Sequence, residues 1–216
     1  MNQSIRTESA GSAHGARTRS ELIDAARAVF ATRGFEGASV RAITARAGTN
    51  LGAITYHFGS KRKLYDAMLE ESLRPLLQRV QAAAAGEGTA LDRIVGVVEA
   101  YFTHLEIHGD LPQLILQEIA AGKAPPSAVL DIIGEVKDTI AGLQIEGEAE
   151  GSIRPGHPVL TALSTIAQPI YMTLVAPLVK SALGMDFAEP STRALLTTHA
   201  TTFVRHALQP ATEVAR

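Results

Sequence analysis

The chain has 216 residues, 46% of them apolar and 19% charged, with a formal net charge of −2, which is enough for one large domain or two small ones around a substantial core. It has no cysteine, so disulfides, thiolate zinc sites and cysteine nucleophiles are excluded, and a reducing cytoplasm suits it. The first residues, MNQSIRTESAGSAHG, lack an apolar core between their charges, so export by a signal peptide is not expected.

The charge is unevenly placed. Residues 1–63 hold ten Arg and Lys against four acids, a net of +6, which leaves −8 for the remainder. A basic head on an acidic body is the electrostatic footprint of a DNA reader attached to something that should stay off DNA. A merely solvated charged face is the plainer alternative.

Residues 1–16 are rich in Ser, Gly and Ala, bury little, and read as a mobile arm. Arg17 and Arg19 follow, within reach of phosphates or a minor groove, or simply solvated. The first helix is predicted from Thr18, where Thr18-x-x-Glu21 has capping-box spacing, to Arg33 before Gly34. Its apolar stripe is Leu22, Ile23, Ala26, Val29 and Phe30. Ser39 caps a second helix with Val40, Ile43 and Ala47 on one face, and Gly48 breaks the pattern where positive φ is needed. Thr49 or Asn50 caps a third, short helix. Ala53, Ile54 and Phe58 face inward, while Asn50, Leu51, Gly52, Thr55, Tyr56 and His57 stay outside. Two short helices joined by a few residues containing Gly make a helix-turn-helix, whose second helix enters a major groove.

Ser60 caps a longer helix that opens on Lys61-Arg62-Lys63 and runs toward Ala85. Cations there oppose the helix dipole unless an anion such as a DNA phosphate lies nearby. Pro75 removes a bond to the carbonyl of Glu71, so a kink is predicted between Glu71 and Gln78. After Gly86-Glu87-Gly88, a helix is predicted over Leu91–Ile107, then a short one over Leu111–Ala121, and another from Pro126 to about Gly147. His104 and His108 stand at i, i+4 spacing, but no third metal ligand is at hand, and a helix C-terminus accounts for them without a metal. Gly147–His157 reads as a loop. Pro158–Val179 carries no charge and has the length of a membrane span, yet its Thr, Ser, Gln and Pro make hydrocarbon a poor solvent for it. Burial by protein on all sides is the expectation. The last helix, Thr192–Leu208, offers Leu195, Leu196, His199, Phe203 and His206 as a second such surface. Two helices of this kind facing their copies across a twofold axis would form a four-helix dimer interface. No strand pattern occurs, so the fold class is all-α.

The ordered set Gly34-Phe35-x-Gly37-Ala38, Ser39-Val40-Arg41, Ala47-Gly48, Gly52-Ala53-Ile54, Tyr56-His57-Phe58 and Ser60-Lys61-x-x-Leu64 resembles the tetracycline repressor (TetR) family of one-component transcriptional repressors. Beyond this first part of the chain the likeness is one of length and helical character. The resemblance implies an arm over 1–16, a three-helix helix-turn-helix DNA-binding domain over 17–63, a larger helical effector-binding and dimerisation domain over 64–210, and a tail over 211–216. Carried onto matching positions, it makes Tyr56, His57 and Lys61 phosphate contacts and Arg41 a base contact. Thr49, Asn50, Leu51, Gly52, Ala53 and Thr55 complete the DNA-binding set, with Gly52 permitting close backbone approach and Ala53 offering a methyl to a thymine. Leu51 departs from the Gln or Arg frequent in the family and Thr55 from a frequent Tyr, which leaves base readout there open, although Leu51 keeps the option of a thymine methyl.

The function implied is that of a cytoplasmic homodimeric repressor, paired through its two C-terminal helices and released from a palindromic DNA operator by a small-molecule effector, with no cofactor and no membrane partner. Side chains that are polar or soft within otherwise apolar helices are the pocket candidates: His104, Gln113, Gln117, Gln168, Tyr171 and Met172. Each also reads as a core filler. The rivals are an all-α enzyme and a purely structural dimer. For an enzyme, no nucleophile with a base, paired carboxylates or metal set is found, and the glycines of AGEGTALD do not fit a phosphate loop.

Overall fold

The structure, a computed structural model, describes residues 4–211, with backbone alone over 4–13. Every element among the described residues is an α-helix: α1 (Ser4–Gly37), α2 (Val40–Arg46), α3 (Gly52–Phe58), α4 (Lys61–Ala84), α5 (Ala90–Ile107), α6 (Leu111–Ala120), α7 (Ser127–Glu150), α8 (Pro158–Leu183) and α9 (Pro190–Leu208). They form two compact units. One holds the chain up to Glu71 together with Leu114–Pro126, the other Ser72–Gln113 and the chain from Ser127.

In the first unit, α1 begins at Ser4 rather than Thr18, so residues 4–16, expected as an arm, have helical backbone; residues 1–3 lie outside the described residues. Thr18 does not cap. Its hydroxyl donates to the His14 carbonyl one turn back at 3.1 Å, a bond that only a continuing helix can offer. The break at Gly34 is where the sequence puts it: φ 65°, ψ 177°, with the Gln117 amide of α6 only 3.1 Å from where a Cβ would stand. Phe30, Phe35 and Tyr65 meet with ring centroids 4.9–5.9 Å apart. With Leu22, Ile43, Ile54, Leu64 and Met68, all buried, they make the core. This is why the unit does not stop at the expected limit after Lys63 but runs through the first turns of α4. Burial pushes the Tyr65 hydroxyl up to about 12, and the neighbouring Glu118 carboxylate adds to the effect.

The second half of α6 belongs to this unit. Glu118, 5% exposed, accepts a hydrogen bond from Arg62 Nη1 at 2.7 Å, and Arg62 Nε donates to Asp66 at 2.8 Å. Lys123 pairs with Glu36 nearby.

In the second unit α5 is central, packed by α7, α8 and α9. Thr89 and Asp92 form a capping box at its start, and Arg205 of α9 donates to the same Asp92 carboxylate at 2.8 Å. α7 does not end at Gly147. It continues to Glu150 and turns at Gly151, φ 81°, where Ser152 and Ile153 N–H groups donate back to the Gly147 carbonyl at 2.9 and 3.0 Å. Gly147 is there to admit Ile153, whose side chain is buried and would lie 2.4 Å from an added Cβ. α4 passes through Pro75, α8 starts with Pro158 at its first turn, and α8 then continues through Pro169 and Pro177 to Leu183.

α8 is not enclosed by its own chain. Leu160, Leu163, Tyr171, Leu178 and Leu183 are each more than half exposed, as are Leu195 and Phe203 on α9. It is also the one helix among the described residues that is long and apolar enough to cross a membrane by length and composition.

Candidate nucleic-acid interface and ligand cavity

Five residues of the local sequence place α3. The Ser39 hydroxyl accepts from Ala42 N–H at 3.1 Å and starts α2, and Gly48 turns the chain at φ 66°. A Cβ at Gly48 would meet nothing within 4 Å, so the backbone angle, not space, calls for glycine there. Asn50 rather than Thr49 supplies the cap of α3, its Oδ1 accepting from Ala53 N–H at 3.1 Å. Gly59, φ 81°, then closes α3 and Ser60 Oγ caps α4 by accepting from Lys63 N–H at 3.2 Å.

This fixes the two faces of α3. Ala53, Ile54 and Phe58 are 9%, 2% and 8% exposed, whereas Leu51 is 48% and Tyr56 84% exposed, and Gly52 and Thr55 stand exposed beside them. His57 is half-buried with its ring 4.8 Å from that of Tyr56, edge to face. Asn50 is exposed, Thr49 half-buried, and Arg41 exposed on α2. Ala53 therefore departs from the expected set: its methyl packs inward and is not offered to a base.

Lys61 is engaged inside its own unit. Its Nζ donates to the carbonyls of Phe35 and Ala38 at 2.8 and 3.0 Å and sits 4.4 Å from the Phe35 ring centroid. It ties the end of α1 to the start of α4, with one N–H left over. Arg19 likewise pairs with Glu71 and lies over the Phe58 ring, and Arg17 pairs with Glu21 at 2.8 Å. Arg17 nevertheless stays exposed, as do Arg33, Arg41, Arg46 and Lys63. Arg46 and Lys63 were marked in the sequence only by their charge.

A separate feature is a cavity of about 560 Å³ whose lining comes entirely from the second unit. Of the six pocket candidates, Gln113 and Met172 line it. Gln117 does not, because α6 carries it to Gly34 in the first unit. Tyr171 is 64% exposed on α8, and His104 is buried with its ring stacked 4.5 Å from His108. Gln168 is half-buried and also outside the lining. Glu99, Glu106 and Arg193 line the cavity and were missed. The readable signal was the polar row Glu99-Thr103-Glu106 on the otherwise apolar α5. Among the described residues no group of three or more His, Cys, Asp or Glu converges on a metal position.

Residues 22–68 match the family model described as bacterial regulatory proteins, tetR family. The chain is 34% identical over 90 residues to the HTH-type transcriptional repressor KstR2 of Mycobacterium tuberculosis, covering 42% of this chain and 45% of that protein. It is 32% identical over 127 residues to the HTH-type transcriptional activator FasR of Mycolicibacterium smegmatis, covering 53% and 58%. The chain thus spans about half the length of these relatives. In fold it is similar to the solved structure of a transcriptional regulator FadR from Bacillus subtilis in complex with stearoyl-CoA, with a TM-score of 0.68, 18% identity, and coverage of 85% of this chain and 96% of that one.

Proposed function

We propose that the chain, whose residues 22–68 match the tetR family model, is a cytoplasmic transcriptional repressor of that family that binds a palindromic DNA operator as a homodimer and leaves it when a small molecule occupies the second unit. The observation that carries this is the division of α3: three side chains anchor it while Leu51, Thr55 and Tyr56 stand in solvent with Arg41 exposed on the helix before. Arg41 reads a guanine edge, Leu51 touches a thymine methyl, and Gly52 lets the backbone approach. Tyr56, His57 and the remaining N–H of Lys61 hold phosphates, with Thr49, Asn50 and Thr55 at the border of the contact. The exposed apolar faces of α8 and α9 form the dimer interface, which places two copies of α3 in successive major grooves. Ligand and DNA oppose each other by preferring different conformations of the same dimer. A ligand in the fold neighbour supports a small-molecule role for the helical body.

The test is selection of bound duplexes from a random pool, followed by fluorescence anisotropy on the selected site across a range of salt. The expected result is a two-fold symmetric site with log affinity falling linearly against log salt. Arg41→Ala is expected to relax preference at one position per half-site by about 1–3 kcal/mol. No sequence enrichment, or affinity indifferent to salt, overturns the reading.

A further inference from the structure

Resting on the reading of α3 as the helix that enters the major groove, we propose that Leu51 and Thr55 together read the C5-methyl groups of pyrimidines, so that the chain tells thymine from uracil and 5-methylcytosine from cytosine. Thr55, a border residue in the simpler reading, thereby becomes a second determinant of specificity. Hydrogen-bond readout is closed to this helix by its composition. A guanine edge calls for Arg or Lys, an adenine edge for Asn or Gln, and a cytosine amine for Glu or Asp. From Leu51 to Phe58 the chain has none of these. The amide at the helix start is that of Asn50, and its Oδ1 already accepts from Ala53 N–H at 3.1 Å. Bidentate pairing with adenine uses both ends of an amide, so the cap removes it.

What this side of α3 does present is short and largely apolar. Leu51 has helical backbone, φ −60° and ψ −31°, and stands one turn before Thr55, so the two side chains share a face, and both are exposed. Gly52 beside them adds no side chain that would hold the helix off the base edges. An apolar group in solvent gains on binding only where it displaces water from another apolar group. The C5-methyl is the one such group that a base edge offers in the major groove, and Leu and the methyl of Thr both suit it. Guanine, adenine and unmethylated cytosine give this pair nothing of the kind. The duplex itself is drawn in by Arg33, Arg46 and Lys63, exposed cations of the same unit, whose attraction for phosphates does not depend on base methyls.

In a duplex, a uracil base differs from thymine only by the missing C5-methyl, so the test is made on the DNA and leaves the chain unaltered. In the operator selected from random duplexes, each thymine is changed to uracil in turn, in both half-sites at once, and the affinity of the full chain is measured by anisotropy. The expected result is a loss of about tenfold at one or two positions per half-site and less than about twofold elsewhere. That loss should be the same at low and high salt, because no phosphate contact changes. With cytosine placed at a sensitive position, methylation at C5 is expected to raise affinity severalfold. Leu51→Ala and Thr55→Ser, both at exposed positions, should each abolish the uracil penalty at one position and keep it at the other. A selected operator indifferent to uracil throughout, or a penalty undiminished in both variants, overturns the proposal and leaves the repressor reading standing. A pool that yields no preferred site overturns both.

Discussion

Lys61 shows how one residue divides between holding the fold and meeting a partner. In the sequence it is a cation at a helix start, and the resemblance makes it a phosphate contact. In the structure its ammonium bridges the Phe35 and Ala38 carbonyls. Lys61→Ala is expected to destabilise the chain by about 2 kcal/mol, because two carbonyls lose a charged donor. Lys63→Ala, at an exposed neighbour, should leave stability unchanged and weaken binding to all DNA sequences alike. Urea unfolding and anisotropy on the same two variants separate these outcomes. Asp92 is the second residue whose surroundings set its chemistry. Its carboxyl is held down to about 2, first by the hydrogen bond from Thr89 and then by Arg205. The unfolded chain therefore takes up this proton more readily than the folded one. The resulting stability is present above the ordinary value of 3.8 and is lost as pH falls toward about 2. Asp92→Asn should flatten the loss of stability between about pH 4 and 2 in a pH series of unfolding curves. The capping spacing at Thr18 predicted a helix start that tertiary continuity overrode. At Thr89 the corresponding residues cap in fact, because Gly88 stops any helix from arriving from the N-terminal side.

At the scale of elements, apolar spacing and Gly or Ser punctuation gave α2, α3 and α5 within a residue or so, since each is ended by local chemistry. α7 shows the limit of that reading. A glycine in a polar run predicted its end, but Gly147 lies inside the helix and accommodates Ile153 folding back onto it. Gly147→Ala is expected to destabilise the chain by about 1–3 kcal/mol, since an added Cβ meets not only the flexible end of Ile153 but also its Cβ. Gly142→Ala, on an exposed position of the same helix with open space, should stabilise by about 0.5–1 kcal/mol. Thermal melts of the two variants, moving in opposite directions, check the packing argument against helix propensity. α6 carries the other lesson. Its sequence does not tell that Glu118 is the buried partner of Arg62, a residue from a helix far earlier in the chain.

For the whole molecule, the unburied apolar rows of α8 and α9 bear on oligomeric state. Leu195, His199 and Phe203 recur every fourth residue along the exposed side of α9. On the proposed dimer, Phe203→Glu is expected to shift sedimentation toward the monomer and to weaken operator binding by more than about tenfold, since each half-site alone loses its linked partner. Circular dichroism should be unchanged, because Phe203 is more than half exposed in the single chain. The sequence by itself determined the all-α class, the basic head and the two faces of α3, because those follow from charge count, helical period and a turn that only glycine adopts easily. Only the tertiary structure decided that α6 completes the first unit, that Lys61 clamps a loop, and that Glu99, Glu106 and Arg193 share a cavity. Each of these depends on which distant segment comes to lie alongside, and no local periodicity records that.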